Sequence, residues 1–332
     1  MSKSNAQPPE EQMAGMAAVA QPAPGGSLQD YLAFVKETGR ACLLSRAGTW
    51  AWGQESHGLL LRFPCERTEP IDFEEIRQAL GLHGVRVVSY LLESDDAHPA
   101  TCFNYVCKDP EYDVEHLSSH ARRDIRRGLR RFTARLCTWD ELAEKGYDVH
   151  VETVQRHGYT APPPGGIRRY ADKRHGTPFF DIWGAWEGDE LVAWLSAIKV
   201  DNWAVVHWCN SRTAALKNRP NNTLLYLATR RLLVDEKRNF VSYGLSSAQV
   251  SESHLGLHNY KVRMGYEALP VHRVFVPRRL LRPLLKGRAA SWMWDRMERL
   301  FPRSAKVHKL AGVSRLISGR ERSPLAWAEG SG

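Results

Sequence analysis

The sequence predicts an α+β or α/β fold of two consecutive domains, each with a mixed, mostly antiparallel sheet flanked by helices. Two blocks of short strand and helix patterns, 41–107 and 139–276, lie on either side of one arginine-rich helix. The order of elements is similar in both blocks, which indicates a duplicated architecture. The 332 residues, 43% of them hydrophobic and 10% aromatic, are enough for one large domain or two ordinary ones.

The composition indicates the kind of partner and the compartment. The formal net charge of +9 favours an anionic partner such as a nucleic acid, a nucleotide, a lipid headgroup or a phosphorylated sugar. The six cysteines show no CxxC spacing and no disulfide framework, so we expect reduced, mostly buried thiols in the cytosol. The sequence has no apolar run of about 18 residues and therefore predicts no transmembrane span. We do not interpret 13–26 as a signal peptide, because it lacks a basic start and a leucine-rich core.

The first block follows a segment, 1–26, that is poor in large apolar side chains and is predicted to be disordered. The predicted first domain covers 27–138. It starts with a short helix at 30–36, and Asp72 precedes a second helix at 73–80. The predicted strands of this block are 41–45, 49–52, 59–63, 84–92 and 101–107.

An arginine-rich helix is predicted over 114–132. Its apolar face consists of residues at three- and four-residue spacing, namely Val114, Leu117, Ala121, Ile125, Leu129 and Phe132. Its other positions hold six arginines, at 122, 123, 126, 127, 130 and 131. This surface is either simply solvated or contacts phosphate, for which an RNA or a lipid surface would serve equally well. We take Arg126 as a candidate for donor binding.

The predicted second domain covers 139–285. A helix at 139–158 and a loop at 161–166 (APPPGG) lead to three antiparallel strands joined by turns at 187–190 and 201–202. These strands are predicted at 179–186, 191–200 and 203–209. The tail, 286–332, is basic, and we expect its last residues, 319–332, to be frayed.

The stretch 216–266 is the part of the second domain most typical of a ligand site. A polar loop with Pro220 precedes a helix that Asn221 or Asn222 could cap and that runs to about Lys237. A buried strand at 240–245 and a helix at 255–264, closed by Gly265, follow, and 269–276 is the final strand. Loops after strands and at helix starts often hold ligands in α/β proteins.

The tail contains an amphipathic helix with a stripe of apolar side chains and with Arg296 and Arg299 opposite. This helix either packs on the body of the protein or lies on an anionic membrane surface. The stripe consists of Ala290, Met293, Trp294, Met297, Leu300 and Phe301.

This order of elements resembles the GNAT superfamily of N-acyltransferases, and more narrowly its FemAB-like and BioF2-like branch with two tandem acyl-CoA N-acyltransferase folds. The resemblance spans roughly 30–280. The segments that carry it are LSSHARRDIRRGL at 117–129, WEGDELVAWLSAIKV at 186–200, RPNN at 219–222, YGLSS at 243–247 and LHNYKVRMG at 257–265.

One segment departs from the family pattern. Enzymes of the superfamily that use acetyl-CoA usually carry an (Arg/Gln)-x-x-Gly-x-(Gly/Ala) loop before the helix that binds pyrophosphate. Residues 216–222 read LKNRPNN here, without glycine, which weakens the expectation that backbone amides cradle a pyrophosphate. The resemblance allows acyl-CoA or aminoacyl-tRNA as the donor, and we take acyl-CoA as the first choice.

Acyl transfer requires a proton acceptor and stabilisation of a tetrahedral oxyanion, but no protein nucleophile. Lys261 matches the family's functional lysine and could neutralise the oxyanion or a phosphate; the alternative is an exposed helix lysine. Tyr260 would line the acyl channel or fill the core. His258 is a candidate general base or a loop histidine. Two further sets could bind donor or acceptor: the strand-end residues Tyr243, Ser246 and Ser247, which are otherwise structural, and the helix-start residues Lys217, Arg219, Asn221 and Asn222, which are otherwise a capped loop.

Other chemistries find no support in the motifs. His207 and Cys209 face the same side of a strand, but no further ligand stands at zinc spacing, so we predict no metal. The sequence has no GxSxG, P-loop or HExxH motif, which argues against a hydrolase, an NTPase or a metalloprotease.

The sequence therefore predicts a cytosolic N-acyltransferase, in solution or peripheral at the inner membrane face, with its active site in the second domain. The acceptor would be an amine, such as one in the cell envelope or on a sugar. The alternatives are an aminoacyl-tRNA-dependent transferase of FemAB type, and an inactive basic module that binds tRNA or an anionic membrane through 117–132 and the tail.

Overall fold

The structure is a computed structural model, and it describes residues 25–318 except 57, 162, 247–251 and 303. The strands in this part of the chain are β1 (Cys42–Leu44), β2 (Ala51–Ser56), β3 (Leu59–Phe63), β4 (Val87–Glu93), β5 (Cys102–Cys107), β6 (Thr133–Leu136), β7 (Phe180–Glu187), β8 (Glu190–Val200), β9 (Trp203–Ser211), β10 (Phe240–Leu245) and β11 (Glu267–Pro277). The α-helices are α1 (Leu28–Glu37), α2 (Phe73–Gly81), α3 (Ser119–Arg131), α4 (Trp139–Arg156), α5 (Gly166–Asp172), α6 (Pro220–Arg230), α7 (Glu252–Arg263), α8 (Arg282–Leu285), α9 (Arg288–Leu300) and α10 (Ala305–Ile317).

The described chain divides into two compact units, each made of separate stretches. The central unit holds Cys107–Tyr243 and Arg263–Tyr266, together with Gly25 and Gly26. The terminal unit holds Ser27–Val106, Gly244–Val262 and the described residues after Tyr266. This division differs from the predicted consecutive domains 27–138 and 139–285, because the chain returns to the terminal unit after it has completed most of the central one.

The sheet of the terminal unit has the strand order β1-β2-β3-β4-β11-β5. Strand β11 pairs antiparallel with β4 over Val271–Pro277 and with β5 over Glu267–Val271. A strand from late in the chain thus holds two early strands in one sheet. Trp52, Leu60 and Val88 form part of the core that α2 covers. Helix α2 begins as predicted, since the Asp72 carboxylate accepts a hydrogen bond from the Glu74 amide at 3.1 Å.

The sheet of the central unit has the order β10-β9-β8-β7-β6. Strands β7 and β8 form the predicted hairpin, and its turn contains Gly188 at φ +61°. Strand β8 is buried from Leu191 to Val200, because helices cover both of its faces. Helix α4 starts with a capping box, in which Thr138 and Glu141 bond reciprocally.

Both sheets are mixed and mostly antiparallel, as predicted. Within the two units, the described strand pairs are parallel only for β3 with β4 and for β9 with β10. Both short parallel pairs lie in otherwise antiparallel sheets, and helices flank each sheet. The predicted fold class is therefore confirmed.

A group of buried charges lies in the central unit. The Lys199 ammonium is 2.8 Å from an Asp181 carboxylate oxygen and 3.5 Å from a Glu236 oxygen, and all three side chains are largely buried. Arg238 also pairs with Glu236 at 3.0 Å. Because each buried charge has an opposite partner, the cost of taking these ions out of water is offset.

The arginine-rich segment folds differently from the predicted helix over 114–132. Val114–His116 forms a separate 3₁₀ turn, and α3 begins only at Ser119, since the Ser118 hydroxyl accepts a hydrogen bond from the Ala121 amide at 3.3 Å. The predicted apolar face is otherwise correct, because Ala121, Ile125 and Leu129 are buried. The chain then leaves the helix at Phe132 and forms β6, which the helical spacing concealed.

Three α-helices of the described chain were not predicted: α5, α8 and α10. Helix α5 follows directly on the proline–glycine segment, where Gly165 at φ +79° starts it without a side-chain cap. Helix α10 lies in the tail, where Ser304 caps its first turn. The predicted disordered segment 1–26, apart from its last two residues, and the predicted frayed end 319–332 lie outside the described residues.

We expect the substitution Gly128→Ala to lower the free energy of unfolding by about 1–3 kcal/mol, because it overpacks the contact between α3 and α6. A Cβ atom at Gly128 would lie 1.9 Å from the Thr223 hydroxyl oxygen and 3.1 Å from the Arg219 carbonyl oxygen. Urea unfolding measures the change. Gly81→Ala is the matched control, since a Cβ atom there meets nothing within 4 Å. Equal stability of the two variants would contradict close packing at Gly128.

Candidate active site

Strand β5 and helix α7 bring together four side chains in the terminal unit, which we name the lysine cluster: Phe103, Tyr105, His258 and Lys261. Phe103 and Tyr105 are two residues apart on a fully buried strand and therefore share one face of it. His258 and Lys261 are three residues apart on α7 and therefore share one face of the helix. Strand β5 lies in the first predicted domain and α7 in the second, whereas the active site was predicted in the second domain alone.

Lys261 is buried and is therefore not an exposed helix lysine. Lys261 is only 3% exposed, and its ammonium nitrogen lies 4.1 Å from the centre of the Tyr105 ring. A cation over an aromatic ring is attracted to it, but burial opposes any charge. Burial dominates and lowers the pKa of Lys261 to about 7.

His258 is held by both aromatic residues of the cluster. Its Nδ1 atom lies 3.0 Å from the Tyr105 hydroxyl, and its ring centre lies 5.1 Å from that of Phe103. Burial and, to a smaller extent, the nearby charge of Lys261 lower the pKa of His258. Burial raises the pKa of Tyr105, so its phenol keeps its proton at neutral pH.

These shifts give the cluster a defined chemistry near pH 7. Lys261 is close to half protonated, His258 is neutral, and Tyr105 is a protonated phenol. A neutral imidazole can accept a proton, and an ammonium in a dry surrounding can stabilise a developing negative charge. The cluster therefore contains both groups that acyl transfer requires.

Phe103 and Tyr105 were not singled out from the sequence. Their segment, TCFNYVC, was predicted correctly as a strand, and its alternation places residues 103 and 105 on one face. Nothing in the sequence pairs that face with a helix that follows more than 150 residues later. Only the tertiary structure shows that the Tyr105 hydroxyl contacts His258.

The other strand-end and helix candidates of the terminal unit have local roles. The Ser246 hydroxyl accepts a hydrogen bond from the Phe103 amide at 2.9 Å, and the Ser246 amide donates to the Phe103 carbonyl at 2.8 Å. Ser246 therefore fixes the backbone beside the lysine cluster. Tyr260 is half-buried on α7, and Ser247 lies outside the described residues.

Tyr243 belongs to the central unit and contacts other aromatic and thiol groups there. Its ring meets that of Tyr266 edge to face, with 5.7 Å between the ring centres. Burial raises the pKa of Tyr243 well above its ordinary value and that of the neighbouring Cys209 to about 12. At neutral pH both groups are protonated, which suits packing better than proton abstraction.

The predicted donor loop begins α6, but its asparagines do not cap the helix. The helix starts at Pro220 itself, and Arg219 occupies the cap position at φ +63°. Asn221 and Asn222 lie in the first turn, where Asn221 donates a hydrogen bond to the Ser211 hydroxyl at 3.2 Å and Asn222 donates to the Met264 sulfur at 3.5 Å. Proline can occupy the first helical position because that residue's N–H has no partner within the helix.

The two basic residues of the loop are exposed. Arg219 pairs with Asp124 of α3 at 3.2 Å, and the Lys217 carbonyl accepts a hydrogen bond from Arg127 at 3.2 Å. The Lys217 side chain points to solvent. Both cations therefore stand at the start of a helix of the central unit, where an anion is favoured.

Strand β9 has one edge that β10 covers only in part. Their parallel pairing covers Trp203–Val205 with Phe240–Ser242, whereas β9 runs on to Ser211. The pairing of β9 with β8 continues to Ser211 and is shifted by one residue around His207. In the central unit, an extended molecule with amide groups could add to the edge of β9 beyond Val205.

Arg126 is exposed on α3, and its guanidinium forms an ion pair with Glu115. Arg122 pairs with the same carboxylate at 3.0 Å, and Arg131 pairs with Glu187. Arg123 and Arg130 are exposed and form no ion pair within the described part of the chain. Arg123 and Arg130 are therefore better placed to bind an anion than the predicted Arg126.

No group of three or more His, Cys, Asp or Glu side chains that could hold a metal occurs among the described residues. No helix in the described ranges is both long enough and apolar enough to cross a bilayer. All six cysteines are free; five are buried, and Cys209 is half-buried.

Comparison with known proteins gives matches in structure alone. No protein-family model matches the chain, and no curated protein matches its sequence. The C-terminal domain of a protein named as a lysylphosphatidylglycerol synthetase from Agrobacterium fabrum matches with 11% identity and a TM-score of 0.50, over 88% of this chain and 97% of that domain. The crystal structure of FemX matches with 10% identity and a TM-score of 0.54, over 84% of this chain and 98% of that one.

A tandem GNAT protein from the clavulanic acid biosynthesis pathway also matches, with 12% identity over 80% of this chain and 93% of that one. Its TM-score of 0.42 is too low to support an argument. Identities this low establish the fold alone. At that level, the predicted fold is confirmed, and FemX is one of the proteins that share it.

We expect the stability of the Lys261→Met variant to fall, relative to that of the wild type, as the pH rises from 7 to 9. The folded-state pKa of Lys261, about 7, lies below the value in the unfolded chain. Between these two values the unfolded state binds more protons, so rising pH stabilises the wild type by about 1.4 kcal/mol per pH unit. Methionine does not titrate, and the variant lacks this increase.

Urea unfolding of both proteins at pH 7, 8 and 9 measures the effect. The stability of the wild type minus that of the variant should rise steadily across this range. Lys173→Met, at an exposed position, is the control and should give a constant difference. A constant difference for Lys261→Met would show that the lysine is hydrated in the folded protein.

Proposed function

We propose that this protein is an N-acyltransferase that moves an acyl group from an activated donor to an amine. The observation that carries the proposal is the lysine cluster: a buried lysine with a pKa of about 7, one helical turn from a histidine bonded to a tyrosine hydroxyl. The fold supports the same reaction class through its likeness to the GNAT superfamily.

In the proposed mechanism, His258 is the general base. The mechanism uses the tautomer that carries the proton on Nδ1, which donates to the Tyr105 oxygen and leaves Nε2 as the basic nitrogen. The lowered pKa of His258 keeps this nitrogen unprotonated at neutral pH. Nε2 removes a proton from the acceptor amine while the amine nitrogen attacks the acyl carbonyl carbon.

Lys261 acts on the charge that this attack creates. The carbonyl oxygen becomes an oxyanion in the tetrahedral intermediate, and the Lys261 ammonium stabilises it in a surrounding that contains little water. When the intermediate collapses, the bond from carbon to the leaving group breaks. His258 then returns its proton to the leaving group.

Acyl-CoA remains the first choice of donor. Two features of the central unit, taken by itself, suit this donor: the partly uncovered edge of β9, to which the two amides of a pantetheine arm could bond, and the exposed Lys217 at the start of α6, which suits the nucleotide phosphates. Arg219 already pairs with Asp124 and would have to leave that partner. Asn221 and Asn222 would contribute less, because their amide groups already bond to Ser211 and Met264.

Aminoacyl-tRNA is the second candidate donor. The exposed arginines of α3, among them Arg123 and Arg130, favour a nucleic acid, and the glycine-free loop weakens the case for a nucleotide diphosphate. One structural neighbour is named as a synthetase of lysylphosphatidylglycerol, which is an aminoacylated lipid. If the protein shows no activity with either donor, this result would support the third interpretation, an inactive basic binding module.

The deciding experiment incubates the purified chain with a panel of acyl-CoA thioesters and with charged tRNA, each with a panel of amines, and detects acylated amines by mass spectrometry. Lys261→Met should lower kcat by about 10²–10³, as expected for the loss of one oxyanion donor. An unchanged rate in this variant would exclude the assigned role of Lys261.

The pH dependence of kcat/KM should be bell-shaped. Activity requires neutral His258 and protonated Lys261, so it should fall in acid as His258 gains a proton and fall above about pH 7 as Lys261 loses one. Lys261→Arg keeps a permanent charge. It should therefore lose the alkaline limb, even if the longer side chain lowers the maximal rate. An alkaline limb that persists in Lys261→Arg would assign it to another group.

Tyr105→Phe should separate the two contacts of Tyr105. The ring that faces Lys261 remains, whereas the hydroxyl bonded to His258 is lost. We expect kcat to fall roughly tenfold, which is less than the loss of a general base (about 10²–10⁴), because His258 itself remains. The acid limb of the pH profile should also move, because His258 loses its partner. Tyr90→Phe, on β4 of the same unit, is the control and should leave both quantities unchanged. Equal effects of the two variants would contradict a positioning role for Tyr105.

A further inference from the structure

The segment from Arg278 to Phe301 in the terminal unit exposes large apolar side chains to water. Leu280 is 89% exposed and Trp292 is 65% exposed, and Leu284, Leu300 and Phe301 are each exposed by half or more. Exposed apolar groups at this density typically mark an interaction surface. We name the exposed side chains of this segment the C-terminal surface.

The charges of this segment are separated by sign. Its acids are Asp295 and Glu298, and both are turned to α10, where Arg315 pairs with them at 2.9 and 3.0 Å. Glu298 also bonds to His308 at 2.6 Å. Arg278 is half-buried and donates to the carbonyls of Leu80 and Leu82. The other six cations are exposed, and none of them pairs with a described carboxylate: Arg279, Arg282, Lys286, Arg288, Arg296 and Arg299. The C-terminal surface therefore presents positive charge alone.

Helix α9 carries both features on one face. Arg288, Trp292, Arg296 and Arg299 follow three- and four-residue spacing and are all exposed, with Leu300 beside them. The Arg296 guanidinium lies 5.9 Å from the Trp292 ring centre. The opposite face is buried at Ala290 and Ser291. Within the predicted apolar stripe, Met293, Trp294 and Met297 are half-buried, whereas Leu300 and Phe301 at its end are exposed.

We propose that the C-terminal surface binds an anionic phospholipid bilayer, with Trp292 and Leu300 in the interface and the arginines on the lipid phosphates. Tryptophan and arginine together suit the boundary between headgroups and acyl chains. The surface thus supplies both apolar area and attraction to anionic lipid, the two contributions that bind an amphipathic helix to a membrane.

The apolar groups favour a lipid partner over a nucleic acid. Bases stack on aromatic rings, but an RNA backbone offers nothing to Leu280, Leu284 or Leu300, whose exposure is relieved only in an apolar medium. The arginines of α3 differ in this respect, because no large exposed apolar side chain interrupts them. The two basic regions therefore suit different partners.

A cavity of about 370 Å³ adjoins the same segment. Arg282 and Lys286 line it, together with the apolar side chains of Phe275, Leu316 and Ile317. A cavity with cations and an apolar wall fits the phosphate and the first methylenes of one lipid. Its volume is in the range of ligand sites, so the surface offers one site for a single headgroup besides the broader contact.

The test is sedimentation of the full chain with vesicles of phosphatidylcholine alone or with about one quarter phosphatidylglycerol. We expect binding to the anionic vesicles and much weaker binding to the neutral ones, with a decrease at high salt. The double variant Arg296→Glu, Arg299→Glu should lower the partition coefficient at least about tenfold. Trp292→Ser with Leu300→Ser should also lower it roughly tenfold, because the interfacial apolar groups are lost.

Phe73→Ser is the matched control. Phe73 is 70% exposed in the same unit, but its neighbours Asp72, Glu74 and Glu75 are acidic, and the variant should bind as the wild type does. Circular dichroism of each variant confirms that it is folded. The readout is binding and not catalysis, so the result is independent of the proposed acyl transfer.

Two outcomes would overturn the proposal. One is equal binding of the wild type to neutral and anionic vesicles, or unchanged binding of both double variants. The other is tRNA binding that the glutamate double variant abolishes and the serine double variant leaves intact, which would assign the surface to a nucleic acid.

Discussion

Strand β11 is the element on which the candidate active site depends. It pairs with β4 on one side and with β5 on the other, so the terminal unit cannot form its sheet until the chain has passed through most of the central unit. Helix α7 immediately precedes β11 and therefore returns with it. This return brings His258 and Lys261 to the face of β5 that carries Phe103 and Tyr105. Two hydrogen bonds between Ser246 and Phe103, one of them to the Ser246 hydroxyl, fix the start of the same return.

Burial of a lysine is costly, and in the lysine cluster it changes the protonation of Lys261. Lys261 has an aromatic ring beneath its ammonium group, and burial outweighs that attraction, so that the pKa falls to about 7. An exposed lysine would be fully charged and hydrated at this pH and would interact weakly with a developing oxyanion. The central unit treats its buried lysine differently, since Lys199 lies against Asp181 and Glu236 and is therefore a structural cation. The same residue type thus lies in two different surroundings: Lys261 over an aromatic ring and Lys199 against two carboxylates.

The net charge of +9 describes the chain poorly as a single number. Several arginines are neutralised within the fold, as Arg122 and Arg126 are by Glu115, and Arg315 is by Asp295 and Glu298. The cations that remain exposed fall into separate regions with different neighbours. Those of α3 stand among polar groups, whereas those of 279–299 stand among leucines and Trp292. Partner chemistry follows from these neighbours and not from the total charge.

Local sequence determined most of the elements of this protein. Periodicity and caps predicted α2, α4 and the hairpin of β7 and β8, because their signals lie within a few residues of each other. The same signals could not reveal β6 or the break at Ser118, because the apolar spacing of α3 continues past both ends of that helix. They could not reveal α5, because its start is concealed by a proline-rich loop. For the candidate site, the sequence supplied Lys261 and His258 through a family resemblance. Tertiary structure alone decided that Lys261 is buried, that Tyr105 is its neighbour and that Asn221 does not cap its helix. These facts depend on contacts between residues far apart in the chain, and such contacts leave no periodic pattern in the sequence.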